Sequence, residues 1–138
     1  MSVTIALSDD IATCLDLRRV VFIDEQGVSE ADEIDDLDGQ SLHLLAMDSN
    51  VPVGTARVYI ANGVAKIGRV CVIKPYRGTG LGAALIRKAM DVAQGKAAQA
   101  KLGAQVYALG FYETLGFSAV GPVYDDAGID HRDMVRDL

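Results

Sequence analysis

The sequence has no apolar run long enough to cross a membrane, because Arg, Lys or Asp interrupts every stretch. Its first residues, Met1-Ser2-Val3-Thr4-Ile5, place no basic segment ahead of an apolar one, so they do not read as a secretory signal. Cysteine is scarce. Only Cys14 and Cys71 occur, each inside an apolar pattern and neither with a near partner, which speaks against a disulfide framework. The simplest reading is a cytoplasmic protein with reduced thiols and no membrane partner. Positive charge is also scarce: 13 Lys and Arg stand against 19 Asp and Glu, for a net charge of −6. Binding a nucleic-acid backbone requires clustered Lys and Arg, so no nucleic-acid partner is expected. A single pyrophosphate is another matter, since backbone N–H groups and one Arg can hold it without marking the net charge. Histidine is limited to His43 and His131, far apart in the chain, and no spacing suggests a metal site.

What is present points to a folded domain. Half of the residues are hydrophobic, which excludes intrinsic disorder. The chain of 138 residues shows no repeat, low-complexity segment or linker, so residues 1–138 read as one domain. Residues 2–7 alternate weakly as a first strand. Asp9 and Asp10 then open a helix whose apolar positions Ile11, Cys14, Leu15 and Val21-Phe22 carry it to about Glu25, with Gly27 ending it. The acidic stretch holding Glu30, Asp32, Glu33, Asp35, Asp36 and Asp38 reads as a solvated surface loop, with attraction of a cationic substrate as the sharper alternative.

From Leu42 the pattern turns to strands. Leu42–Met47 and Val51–Ile60 flank the turn Asp48-Ser49-Asn50, and Val64–Ile73 follows Asn62-Gly63, the strongest short hairpin signal in the chain. A helix is predicted over about 80–97, on the stripe Leu81, Leu85, Ala89 and Val92. A short segment at Lys101–Gln105, a helix around Tyr107–Leu115, a strand at Phe117–Tyr124 and a closing strand through Ile129, Met134 and Val135 complete an α+β pattern.

Between the strand ending at Ile73 and the helix opening near Gly80 lies Arg77-Gly78-Thr79-Gly80-Leu81-Gly82. Glycine lets the backbone turn so that several N–H groups face one concavity, and the helix dipole adds partial positive charge. Arg77 supplies a fixed cation for phosphate. A dinucleotide fold expects such a loop early, in a parallel strand-helix-strand unit, and this one follows an antiparallel meander past mid-chain. A phosphate-binding Gly-Lys-Ser/Thr sequence is absent. A plain glycine-rich turn with a solvated Arg is the bland alternative.

Val70-Cys71-Val72-Ile73-Lys74-Pro75-Tyr76 together with that loop resembles the acetyl-CoA motif of the GNAT superfamily of N-acetyltransferases, Arg/Gln-x-x-Gly-x-Gly/Ala after a strand. Phe111-Tyr112-Glu113-Thr114-Leu115-Gly116-Phe117 resembles its second hallmark, and the two in this order are far more specific than either alone. Arg18, Glu25-Gln26, Asp32-Glu33, His43, Gly54-Thr55-Ala56-Arg57, Arg69 and Gly128-Ile129-x-His131 further resemble the ElaA-like branch. The resemblance covers essentially the whole chain. It implies a mixed, mostly antiparallel sheet of six to seven strands flanked by about four helices, with the strands around the acetyl-CoA site splayed. It admits a homodimer.

By the same resemblance, the backbone of Val70, Cys71 and Val72 pairs with the pantetheine arm of acetyl-CoA as an added strand. One of those N–H groups polarises the thioester carbonyl. The amides of Arg77, Gly78, Thr79, Gly80, Leu81 and Gly82 take the pyrophosphate, and Tyr112 assists the departing CoA thiolate. The family's usual Asn seven residues before that Tyr is Gln105 here. Glu25, His43 and His131 are the candidates for the base that deprotonates the amine, Glu25 foremost, with Arg69 also on the substrate side. Each has a plainer reading. Glu25 would pair with Arg69 or Arg57, His43 would be a hydrogen-bonded sheet histidine, and Tyr112 would be a core aromatic. The expectation is therefore an acetyl-CoA-dependent N-acetyltransferase acting on a primary amine, without a metal. A non-catalytic acyl-CoA sensor on the same fold is the alternative, and a mononucleotide-binding protein is a more distant one.

Overall fold

The computed structural model of the chain describes residues 2–138. Seven strands form one sheet in the order β1-β2-β3-β4-β5-β7-β6: β1 (Val3–Leu7), β2 (Leu42–Asp48), β3 (Val51–Ala61), β4 (Val64–Val72), β5 (Gln99–Gln105), β6 (Ser118–Asp126) and β7 (Ile129–Asp137). Every neighbouring pair is antiparallel except β4 and β5, which run parallel. The helices are α1 (Ile11–Arg18), α2 (Glu30–Glu33), α3 (Leu81–Ala93) and α4 (Leu109–Thr114). Strand count, helix count and antiparallel bias all match the expected sheet.

Local chemistry sets the turns. Asn62 and Gly63 take φ of 54° and 77°, the double left-handed conformation of a two-residue hairpin whose twist suits the flanking strands. Ala127-Gly128 makes the same turn between β6 and β7, with φ of 53° and 81°. Asp10 caps α1 by accepting from the Thr13 N–H at 3.2 Å. The helix beyond it does not stay α-helical to Glu25: Arg19–Glu25 widens into a π-helical turn. Such turns concentrate at functional sites, and this one leads Phe22 and Gln26 into the cleft described below.

The side chains of β2 alternate between two cores. Leu44 and Ala46 face the larger one, under α3, while Leu45 faces a smaller one formed with Cys14, Leu17 and Val21 of the α1 side. Helices therefore cover both faces of the sheet. The inner stripe of α3 is Leu81, Leu85, Ile86, Ala89, Met90 and Ala93, with Val92 only half-buried. Leu85 and Ile86 are fully buried, each contributing roughly 1.5–3 kcal/mol by leaving water. The helix stops at Ala93, short of the expected 97, before Gly95 at a φ of 78°.

Gly54 on β3 lets these layers close. A Cβ there would lie 3.0 Å from the Cys71 carbonyl oxygen and 3.1 Å from Leu85 Cδ1. Gly54→Ala is expected to cost about 1–3 kcal/mol by overpacking. Chemical denaturation reads this as a lower midpoint with an unchanged slope; an unchanged midpoint would remove the close approach from the account.

The acidic stretch is the main departure from expectation. Glu33 is buried and Asp35 and Asp38 are half-buried, because three arginines converge on them. Arg18 donates through Nε to Glu33 at 2.5 Å and through Nη1 and Nη2 to Asp38 at 2.8 and 3.2 Å. Arg57 grips Asp35 bidentately at 2.7 and 2.9 Å. The stretch is an inward-facing ion cluster, and only Glu30, Asp32 and Asp36 match the solvated reading.

Candidate active site

The parallel contact between β4 and β5 is short. It joins Val64–Lys66 to Gln99–Lys101 and goes no further. Above it β4 stays paired with β3 through Val72, and β5 stays paired with β7 through Gln105 opposite His131. The two central strands therefore splay, leaving one edge of β4 open along a cleft of about 520 Å³. A register shift opposite Thr55 and Arg57 accompanies the splay, and Arg69 sits there at a φ of 52°.

The open edge is a row of hydrogen-bonding groups. Ile73 N–H donates to the Val53 carbonyl of β3 at 3.0 Å. By alternation the Cys71 backbone also turns to β3, and the groups of Val70, which lines the cleft, and of Val72 turn to the open edge. Of the three residues expected to hold pantetheine, Val70 and Val72 thus offer the outward groups. The Val72 carbonyl already accepts Arg77 Nε at 3.0 Å.

The strand leads directly to the glycine loop. Gly78 and Gly80 take φ of 76° and 87°, and α3 starts at Leu81. Arg77 N–H donates to the Lys74 carbonyl, whereas the N–H groups from Gly78 through Gly82 donate to no acceptor among the described residues. These are the orphan donors of a helix start, on exposed residues from Gly78 to Gly80 and backed by the helix dipole. Tyr76 braces the approach, its hydroxyl donating to Asp48 at 2.5 Å.

Tyr112 on α4 lines the cleft with Gln105. Its ring packs edge-on against Phe111 and Phe117, at centroid distances of 5.0 and 6.3 Å. Its hydroxyl makes no hydrogen bond among the described residues. Burial, helped by Tyr107, raises its pKa, so the group stays a neutral O–H donor.

The other expected residues separate. Glu25 does not line the cleft; its Oε2 accepts from Arg77 Nη2 at 2.6 Å, so its partner is Arg77 in place of the expected Arg69 or Arg57. His43 is buried away from the cleft, its Nε2 2.8 Å from the Asp38 carbonyl oxygen. His131 does line it, with Nδ1 2.7 Å from the Ile129 carbonyl oxygen and its ring stacked 5.9 Å from Tyr124. Arg69 lies on the β4 wall. Tyr124 and Asp133 were not singled out in the sequence. The Tyr124 hydroxyl donates to Asp133 at 2.8 Å, and burial and that carboxylate push its pKa up to about 12. Only the β6–β7 register, which sets Tyr124 opposite His131, brings them into the cleft. Cys14 and Cys71 are buried free thiols, and burial pushes Cys71 up to about 12, so neither presents a thiolate nucleophile.

The cleft thus combines a splayed parallel pair, an open strand edge and a lining tyrosine, with a glycine-loop helix start beyond the end of β4. Residues 20–138 match the family model described as acetyltransferase (GNAT) domain. The chain is 37% identical over 124 residues to a Bacillus subtilis protein named uncharacterized N-acetyltransferase YjcF, covering 88% of each chain. To Protein ElaA of Escherichia coli it is 33% identical over 130 residues, 90% of this chain and 85% of ElaA. The ElaA crystal structure superposes with a TM-score of 0.84 at 29% identity, covering 98% of both chains. A GNAT family acetyltransferase from Elizabethkingia anophelis, solved with acetyl-CoA bound, shares the fold with a TM-score of 0.76 at 16% identity, over 99% of this chain and 98% of that one. The chain belongs to the GNAT acetyltransferases and is an acetyl-CoA-dependent enzyme. No helix among the described residues is long and apolar enough to cross a membrane.

Proposed function

We propose that the protein transfers the acetyl group of acetyl-CoA directly to a primary amine inside the β4–β5 cleft. One observation carries this reading: β4, whose edge beyond Lys66 is left open by β5, runs from the cleft-lining Val70 towards the Gly78–Gly82 loop with its free amides, and Tyr112 lines the same cleft. The amides and Arg77 take the pyrophosphate, with phosphate replacing Glu25 on the guanidinium. The Val70 and Val72 groups pair with pantetheine. One of these N–H groups polarises the thioester carbonyl.

Direct transfer needs a neutral amine. A lysine-like amine at pH 7 is neutral roughly once in 2,500 molecules, a cost of about 4.6 kcal/mol, whereas an α-amine costs about 1 kcal/mol. We assign the base to His131 ahead of Glu25 and His43, because it alone of the three lines the cleft. With Nδ1–H donating to the Ile129 carbonyl, Nε2 keeps its lone pair for the amine proton. As the tetrahedral intermediate collapses, the C–S bond breaks and Tyr112 O–H donates a hydrogen bond to the thiolate. A free tyrosine, with pKa near 10, is a weaker acid than a thiol near 8.5, and burial widens that gap, so proton transfer completes only as CoA leaves.

Acetyl-CoA is expected to raise the melting temperature, and a panel of primary amines to release free thiol in its presence. Stabilisation by acetyl-CoA with no thiol release from any amine would identify a non-catalytic acyl-CoA sensor and sink the proposal.

A further inference from the structure

We infer that the acceptor carries a carboxylate a few bonds from its amine, and that Arg69 recognises it. This rests on the transfer reaction proposed above. Three guanidiniums meet the acidic segment, and they are not equally satisfied. Arg18 spends Nε, Nη1 and Nη2 on Glu33 and Asp38, and Arg57 spends both terminal nitrogens on Asp35 with a further bond to Asp38. Arg69 receives what is left. Its Nε and Nη2 share the Glu33 backbone carbonyl at 3.3 and 3.0 Å, Nη2 reaches Asp35 at 3.3 Å, and Nη1 makes no hydrogen bond among the described residues.

The ion pairs of Arg69 are also the longest of the three, Nε lying 3.6 Å from Glu33 Oε1 and Nη2 3.3 Å from Asp35 Oδ2. Burial and the neighbouring Arg57 and Arg18 outweigh its acidic partners and hold its pKa below the usual range, whereas Arg18 lies above it. A carboxylate accepting from the free Nη1 would add a charge-assisted hydrogen bond at the one nitrogen left unpaired among the described residues.

Backbone geometry points the same way. The left-handed φ of 52° falls on Arg69 although Gly68 stands next to it in the strand. A non-glycine residue in that conformation is strained, and bulges of this kind re-aim a side chain. Here the re-aimed chain lies on the cleft wall beside Val70, whose backbone borders the proposed thioester position. Of the other cleft cations, Arg57 is held by Asp35 and Asp38, while Lys66 and Lys101 sit at the closed β4–β5 junction, where Lys101 faces Asp133 at 3.6 Å. The β6–β7 wall carries Asp126, Asp133 and His131, groups suited to an ammonium before it loses its proton. A cleft of about 520 Å³ that must also take the pantetheine end leaves room for an acceptor of amino-acid size.

The test compares ω-amino acids with their own carboxamides as acceptors, which holds the amine nearly constant. For the wild type, kcat/KM per neutral amine should favour the carboxylate roughly 10- to 100-fold. Arg69→Gln should abolish that ratio and Arg69→Lys should keep part of it, while both variants retain the CoA-induced rise in melting temperature. Equal use of carboxylates and carboxamides by the wild type would overturn the inference while leaving acetyl transfer intact. So would an Arg69→Gln enzyme that slows on both acceptors with its ratio unchanged, since that is the signature of a purely structural arginine. Should no amine turn over, the transfer reading fails, and the thermal shift of CoA-saturated protein still decides this one: stabilisation by the carboxylate but not the carboxamide, lost in Arg69→Gln, supports it, and no difference overturns it.

Discussion

Tyr112→Phe is expected to lower turnover by roughly 100-fold or more while leaving acetyl-CoA affinity almost unchanged. The substitution keeps the ring, and with it the edge-on contacts to its neighbour Phe111 and to the buried Phe117. It removes only the hydroxyl of a cleft-lining residue, one that makes no hydrogen bond among the described residues. A core tyrosine kept for packing predicts the reverse pattern, with lower stability and intact turnover. Burst kinetics with a thiol reporter separate chemistry from CoA release. Unchanged turnover would remove Tyr112 from the reaction and leave the thiolate to water or a backbone N–H.

The second large effect concerns stability. Arg18→Ala should cost about 3–5 kcal/mol, because it leaves Glu33, itself only 4% exposed, and Asp38 without their main cation. In a domain of this size that corresponds to a fall in melting temperature of roughly 10–20 °C. Adding Glu33→Gln and Asp38→Asn to Arg18→Ala should recover part of the loss by removing the stranded charges. No recovery would mean that the side chain matters for its volume and not its charge.

The same cluster sets an acid limit. Burial acts to raise the Asp35 and Asp38 carboxyls, but hydrogen bonds from Arg57, and for Asp38 also from Arg18, outweigh it and hold both below the usual carboxylate range. Groups depressed on folding stabilise fully above their unfolded pKa, near 4, and that contribution drains away as pH falls through the folded values.

The loop proposed to hold the donor was legible as a strand-to-helix turn because its signals are local. Gly78, Gly80 and Gly82 are close in sequence, and a strand followed by a helix is visible from periodicity alone. Asn62-Gly63 likewise announced its hairpin, since both positions need positive φ. The cleft wall proposed for the acceptor is built from long-range pairing. Arg18, Arg57 and Arg69 reach Glu33, Asp35 and Asp38 across 15 to 36 residues, so a string of acids looked solvated when three of them are counter-ions. Glu25 found Arg77 across 52 residues. Tyr124 joined His131 through a turn at Ala127-Gly128, where Ala127 gives little turn signal although its φ is 53°. The π-helical turn at Arg19–Glu25 had no signature either, because Leu17, Arg18 and Val21 satisfy α-helical spacing up to the point where it widens.

The most direct test of the splayed-strand site is a titration with CoA followed by backbone amide NMR. The amides of Gly78, Thr79, Gly80 and Gly82 should move most, with Val70 and Val72 shifting in step at the same apparent Kd. Arg77 N–H, already held by Lys74, should move less. Saturable CoA binding that leaves the Gly78–Gly82 and Val70–Val72 amides in place would contradict the account.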